Sequence, residues 1–297
     1  MTESTIDTTA TEEETLPMPE QPTEDRFPGA GGLQIFYRAW FPDTLPRAAI
    51  VISHGFNSHG GYYADIARHL AEKELAVYAI DHRGHGNSEG ERFFVRDVSE
   101  YVDDLGTLIQ LVKTRHPGIP VFVLGHSAGG VVACAYALEH QDELAGLISE
   151  SFAFRLHAPH IVLTVMKALG HLAPHLRVLA LPNQAFSRDP EVVEVMDHDP
   201  LIAHEKQPAS TMAALARADD RLEHDLAKLS LPVLILHGTG DKLTRPSGSL
   251  FFYETARSPD KTLKLYEGYA HDLLHDIDRD RVIADVDDWL LARLPAA

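Results

Sequence analysis

The 297-residue chain contains a single cysteine, Cys134. An intrachain disulfide framework is therefore excluded, and the apolar run around it, "VVACAYAL", predicts a buried structural thiol rather than a redox centre. No stretch reaches the roughly 20 apolar residues that cross a bilayer, so the expectation is a soluble protein. Basic residues are scarce, 26 against 44 acidic, for a net charge of −18. That balance argues against capture by nucleic acid or by anionic membrane surfaces and favours a neutral small-molecule substrate. The first 25 residues hold no Lys or Arg, eight acidic residues and no apolar core of a signal peptide. They read as a disordered acidic tail, and the location expected for the protein is cytoplasmic. No internal repeat is present, and oligomeric state is not legible.

What the sequence does contain, from Leu33 onward, is an alternation of short β-rich runs with longer helical patterns. The strands are "LQIFYRAW", "AAIVIS", "LAVYAI", "VFVLG", "LAGLIS", "VLILHG" and "TLKLYEG". Most are continuous apolar runs, as expected for strands covered on both faces. Between them "GYYADIARHLAEKE", "SEYVDDLGTLIQLVKTRH" and "SAGGVVACAYALEH" have helical spacing, with Val102, Leu105, Ile109 and Val112 on one face. The pattern predicts an α/β fold with a mostly parallel central sheet flanked by helices. About 80 residues separate the strand ending near Ser149 from the one starting near Val233, too many for a simple crossover. There Ile161, Val162, Val165, Leu169, Leu172, Leu176 and Leu179 can form an apolar helical face interrupted by Pro174. That face either packs as an ordinary helical insertion or belongs to a cap that lines an acyl-chain pocket or meets lipid.

The chemistry concentrates in "GHSAGG", where Gly125 and Gly129 flank Ser127 between a readable strand and a readable helix. A serine alcohol is a poor nucleophile until a base takes its proton, and a sharp turn at a helix N-terminus exposes it where developing negative charge is stabilised. An acid and then a histidine must follow in chain order. Asp241 comes just after the "VLILHG" strand and His271 just after "TLKLYEG", each at a strand C-terminal end. Asp241 would orient His271, whose other nitrogen would take the Ser127 proton. Oxyanion donors are expected from the backbone N–H of Ala128 and, in "HGFNSHGGYY", of Phe56.

Rivals exist for these roles. Glu150 also ends a strand and could be the acid; His275 could be the base; His126 adjoins the serine but suits turn packing better. The short-spaced pairs His82/His85, His157/His160 and His171/His175, with Asp81, lack a third and fourth ligand in a zinc arrangement. No metal and no cofactor are expected.

Taken together, "HGFNSHGGYY", "DHRGHGNSEGER", "GHSAGG", "HGTGDKLT" and "YEGYAHDLLHD" resemble the monoacylglycerol lipase and lysophospholipase branch of the α/β-hydrolases, including serine aminopeptidase S33-type enzymes, from about Gly32 to Leu294. The resemblance implies Ser127, Asp241 and His271 as triad, Phe56 and Ala128 as oxyanion donors, and a cap over an acyl tunnel. With the acidic tail over 1–25, the expected domain limits are an α/β-hydrolase domain over 26–297 and a helical cap inserted after the sixth strand at about 153–212. Two departures stand out: Ala128 where the family usually has methionine, and "ESFAF" after Ser149 where it has a Ser/Ala-Pro turn. The function expected is hydrolysis of carboxylic esters through an acyl-enzyme, with monoacylglycerol-like single-chain lipid esters as substrates and transient lipid contact through the cap. The alternatives are a carboxylesterase for aromatic or xenobiotic esters, another triad enzyme such as a peptidase or haloperoxidase-like one, and a non-catalytic binding protein of the same fold.

Overall fold

The computed structural model describes residues 21–154 and 167–295. An eight-stranded sheet runs in the order β1-β2-β4-β3-β5-β6-β9-β10. Its strands are β1 (Thr23–Pro28), β2 (Gln34–Trp40), β3 (Ala48–Ser53), β4 (Leu75–Ile80), β5 (Val121–His126), β6 (Gly146–Glu150), β9 (Val233–Gly238) and β10 (Lys261–Tyr266). β1 and β2 pair antiparallel with their neighbours, and the pairs from β4 through β3, β5, β6 and β9 to β10 are parallel.

Helices cover both faces, and the continuous apolar strands supply each face with alternate residues. Val51, Tyr78, Val123, Leu147 and Ile235 pack towards α2 (Ser99–Arg115), α3 (Ala128–Glu139) and a later helix, Ala209–Asp225. Ile50, Val77, Leu124, Ile148 and Leu234 pack on the other face towards α1 (Ala64–Glu72) and the C-terminal helix Arg279–Leu291. On α2, the predicted stripe Val102, Leu105, Ile109 and Val112 is buried in the first of these cores. Cys134 is buried in α3, which pushes its thiol up and keeps it protonated.

The residues between β6 and β9 depart from the expected helical face. A helix over 167–172 ends before Pro174, and the chain then enters β7 (Arg177–Leu179), paired with β8 (Gln207–Pro208) in a small second sheet. Leu179 is thus a strand residue, and Leu172 and Leu176 are 84% and 50% exposed rather than packed in one face. Ile161, Val162 and Val165, with His157 and His160, lie outside the described residues. After β7 come α4 (Pro190–His198) and α5 (Ala209–Asp225), α6 (Pro246–Thr255) follows β9, and Arg279–Leu291 is α7. The expected insertion end near 212 falls inside α5, whose Met212, Leu215 and Leu222 belong to the main core. Thr23, Glu24 and Asp25, expected to lie in the tail, instead pair with Ala39, Arg38 and Tyr37. β1 is a polar edge strand with Phe27 its one buried residue, so it carries no apolar run to read.

Because β3, β5, β6, β9 and β10 are parallel, their C-terminal ends share one edge of the sheet. Ser53 is in register with Gly125, His126 with Glu150, Glu150 with Leu236, and Gly238 with Tyr266. The loops that leave those ends therefore converge, as ligand-binding loops do in open α/β sheets.

Candidate active site

Ser127 sits between β5 and α3 at φ 54° and ψ −119°, a conformation that side-chain-bearing residues avoid. The flanking glycines make that turn possible by close approach. A Cβ on Gly125 would lie 2.6 Å from the Gly129 carbonyl, and one on Gly129 would collide with the carbonyls of Ser53 and His54. The turn is pinned by the Ser127 N–H, which donates to the Glu150 carbonyl at 2.9 Å. Ser127 is 7% exposed.

His271 lies in the loop after β10, and its Nδ1 is 2.7 Å from Asp241 Oδ2, an acceptor that fixes a proton on Nδ1 and leaves Nε2 as the basic nitrogen. Phe186 stands edge-on to the imidazole at 5.4 Å, and the His126 ring lies 5.0 Å away on the other approach. Asp241 is held by the N–H groups of Leu243 and Thr244, the Thr244 hydroxyl, and His237 Nε2 at 3.1 Å. Burial alone would raise its carboxyl, but the positive field of His271 and these donors outweigh that and hold it far below the usual carboxylate range. Asp241 is consequently an anion at neutral pH.

Phe56 and Ala128, the residues expected to supply oxyanion donors, line one small cavity with Gly55, Gly129, Val132 and Leu215. Ala128 opens α3, so its N–H is among the first-turn donors with no acceptor inside the helix. Gly55 brings the loop after β3 so near that a Cβ there would meet the Ser127 Cβ at 2.8 Å. That loop is fixed by His54, whose Nδ1 donates to the Gly55 carbonyl at 2.7 Å while its Nε2 accepts the His82 N–H at 3.0 Å. One donating and one accepting nitrogen define a neutral ring, in line with burial and neighbouring histidines pushing His54 well below its ordinary value.

The rivals are sorted by their partners. Glu150 Oε1 accepts the N–H groups of Leu273 and Leu274 at 2.7 and 3.1 Å, so it braces the loop after His271 and leaves His271 Nδ1 to Asp241. His275 has Nδ1 on Asp272 at 2.7 Å and Nε2 on the Tyr62 carbonyl at 2.9 Å, two acceptors that leave no lone pair for a base. Burial pushes that ring down, but Asp272 prevails and lifts it to about 9. His126 is fully buried with neither nitrogen hydrogen-bonded, and burial takes it down to about 4.

Among the described residues, one trio of potential ligands, His126, Glu150 and Asp272, places its donor atoms within 4.8 Å of one another. One oxygen of Glu150 and one of Asp272 are already committed to Leu273, Leu274 and His275. Asp81 is likewise spent internally, on Arg38 at 3.0 Å and on the N–H groups of Gly60 and Asn87.

Several contributors were not foreseen: His54, His237, Thr244 and Phe186. His237 and Thr244 flank Asp241 at three- and four-residue spacing within "HGTGDKLT", a proximity that could have pointed to them. Phe186 comes from the insertion, and no local signal marks it. It belongs to a segment bolted to the site: Asn57 donates to the Leu181 carbonyl and to Asn183, His59 and Tyr62 both meet Asp199, and the Asp272 N–H donates to the Phe186 carbonyl.

A strained serine at a strand-to-helix turn, an ordered Asp–His pair after two later strands, and a mainly parallel sheet beneath them define an α/β-hydrolase. The chain belongs to the family described as serine aminopeptidase, S33, whose model matches residues 44–278. It is similar to the monoacylglycerol lipase of Mycolicibacterium smegmatis, 38% identical over 92% of this chain and 98% of that one. It is also similar to the monoglyceride lipase of Homo sapiens, 35% identical over 90% of each. Among solved structures, that of Paleococcus ferrophilus monoacylglycerol lipase superposes with a TM-score of 0.79 at 27% identity, covering 87% of this chain and 99% of that one.

Proposed function

We propose that the protein is a serine hydrolase that cleaves carboxylic esters through an acyl-enzyme, with monoacylglycerols as its substrate class. The observation that carries the reading is the pairing of His271 with Asp241 at 2.7 Å at the sheet edge where Ser127 is held in its strained turn. In this mechanism His271 Nε2 takes the Ser127 proton as Oγ attacks the ester carbonyl. The N–H groups of Phe56 and Ala128 hold the oxyanion, and the glycerol oxygen leaves with the proton from His271. A water that gives its proton to His271 then attacks the acyl-enzyme, and the fatty acid departs as Ser127 recovers its proton. No step calls for a cofactor.

The acyl preference is supported by the similarity to monoacylglycerol lipases over nearly the whole chain. In this reading the described residues of the insertion expected at about 153–212 belong to a cap over the site, and the exposed Leu172 and Leu176 make transient contact with lipid. No helix among the described residues is long and apolar enough to cross a membrane, so such contact would be peripheral. A cytoplasmic location is part of the same proposal, resting on a chain whose one cysteine is buried and reduced.

A panel that varies acyl length and leaving group independently tests the substrate class. The expected result is monoacylglycerol turnover above that of aromatic esters carrying the same acyl chain. Flat activity across acyl lengths with no monoacylglycerol turnover would assign the site to non-lipid esters instead.

A further inference from the structure

Glu150 touches both halves of the site. Its carbonyl accepts the Ser127 N–H at 2.9 Å, and its side-chain Oε1 accepts two amides of the segment that follows His271, at 2.7 and 3.1 Å. The side chain is fully buried, and its second oxygen, Oε2, has no hydrogen-bond partner. We propose that Glu150 is a positioning residue, locking the Ser127 turn to the His271 loop through a carboxyl group that is protonated in the active enzyme. The inference rests on the ester-hydrolase reading and deepens it.

The partners of the carboxyl argue for its neutral form. An ionised carboxylate without water needs donors on both oxygens, and Oε2 faces none. A neutral carboxyl leaves no charge on Oε2 to compensate, and acceptors for its proton stand nearby, since one oxygen each of Glu150 and Asp272 and a ring nitrogen of His126 lie within 4.8 Å of one another. Of the two acids, Asp272 is the one provided with a cation, since His275 donates to it at 2.7 Å and to the Tyr62 carbonyl at 2.9 Å. Two carboxylates this close in a dry site cannot both ionise at little cost. Burial first and the Asp272 charge second push the Glu150 carboxyl up to about 8, against the pull of His275 and the two amides.

The groups facing it are His126 from β5, Asp272 and His275 from the loop after β10, Tyr63 from the turn before α1, and Tyr266 from β10. None of them offers Oε2 a second compensating cation. Loss of the Glu150 proton therefore places a negative charge beside Asp272, and relief requires the 271–275 segment to move or water to enter. Either change disturbs the base without touching the substrate pocket, so kcat and not KM should respond.

The test uses a soluble short-chain p-nitrophenyl ester, active sites counted by fluorophosphonate titration so that unfolded protein is left out, and thermal melting as a fold check. Glu150→Ala removes the acceptor for both amides, and kcat per titrated site should fall about tenfold or more with KM little changed. Glu150→Gln keeps an acceptor for the amides and stays neutral at every pH. It should recover most of the loss, and its kcat should hold as pH rises past about 8 while that of the wild type declines. A Gln variant as impaired as Ala, a Gln variant with the wild-type alkaline decline, or an Ala variant with undiminished kcat would each overturn the proposal. A wild-type protein that neither labels at Ser127 nor turns over the ester fails the ester-hydrolase reading itself, a result distinct from any of these and one that takes the Glu150 proposal down with it.

Discussion

His237 Nε2 lies 3.1 Å from Asp241 Oδ2, the same oxygen that His271 Nδ1 meets at 2.7 Å. The carboxylate thus has a second, fully buried histidine behind it, itself anchored by the Ser249 hydroxyl at 2.7 Å. Such packing fixes the direction in which Asp241 presents its charge to His271 and ties the loop after β9 to α6.

The first prediction concerns that charge. Asp241→Asn preserves shape but offers His271 an amide that can donate as well as accept, which permits the wrong tautomer. Turnover should drop by about 10³- to 10⁴-fold with KM nearly unchanged. Steady-state kinetics on a single soluble ester decide it, and a parallel Glu150→Gln measurement separates the acid from the brace.

A second prediction addresses the turn around Ser127. Gly129→Ala adds a methyl group against the carbonyls of Ser53 and His54, backbone atoms that cannot rotate away. The expected cost is about 3 kcal/mol in urea unfolding, with activity lost from whatever protein remains folded. Unchanged stability would mean that the β3 and β5 loops do not approach as closely as described.

The third follows from the His275 cation. Its folded-state value is raised to about 9, so its stabilising contribution is complete below the ordinary histidine value and is lost as pH climbs through 9. The unfolding free energy should therefore fall by a few kcal/mol between about pH 6 and 9. Glu150 adds to the same slope, since an acid raised in the folded state loses stability as pH rises. His275→Gln should flatten this slope, as read from urea titrations at each pH.

A fourth concerns the insertion. Leu172→Ser together with Leu176→Ser removes two exposed leucines without opening a core. Turnover of long-chain monoacylglycerol in vesicles should drop several-fold while that of a short soluble ester holds. Equal losses on both substrates would point to folding instead.

The strands of the parallel core were legible because burial on both faces leaves unbroken apolar runs such as "AAIVIS" and "LAVYAI". β1 was not, since an edge strand such as "TEDRFP" buries one side chain and resembles a tail. Nor were β7, three residues within "APHLRVLALP" whose leucines suggested a helical face, and β8, two residues long. At the site, Ser127, Asp241 and His271 could be picked out because each follows a readable strand. The bracing by Glu150, the ring of Phe186 and the tautomer of His54 depend on residues about 30 to 120 positions away, and local spacing carries no trace of them.

Ser127 as the nucleophile of an ester hydrolase is tested most directly by monoacylglycerol hydrolysis in wild type and Ser127→Ala, with the fluorophosphonate adduct of the wild type located by peptide mass spectrometry. The expected result is a single adduct at Ser127 and a loss of about 10⁴-fold or more in kcat for a variant that melts like the wild type. An adduct elsewhere, or a Ser127→Ala protein that keeps its turnover, would contradict it.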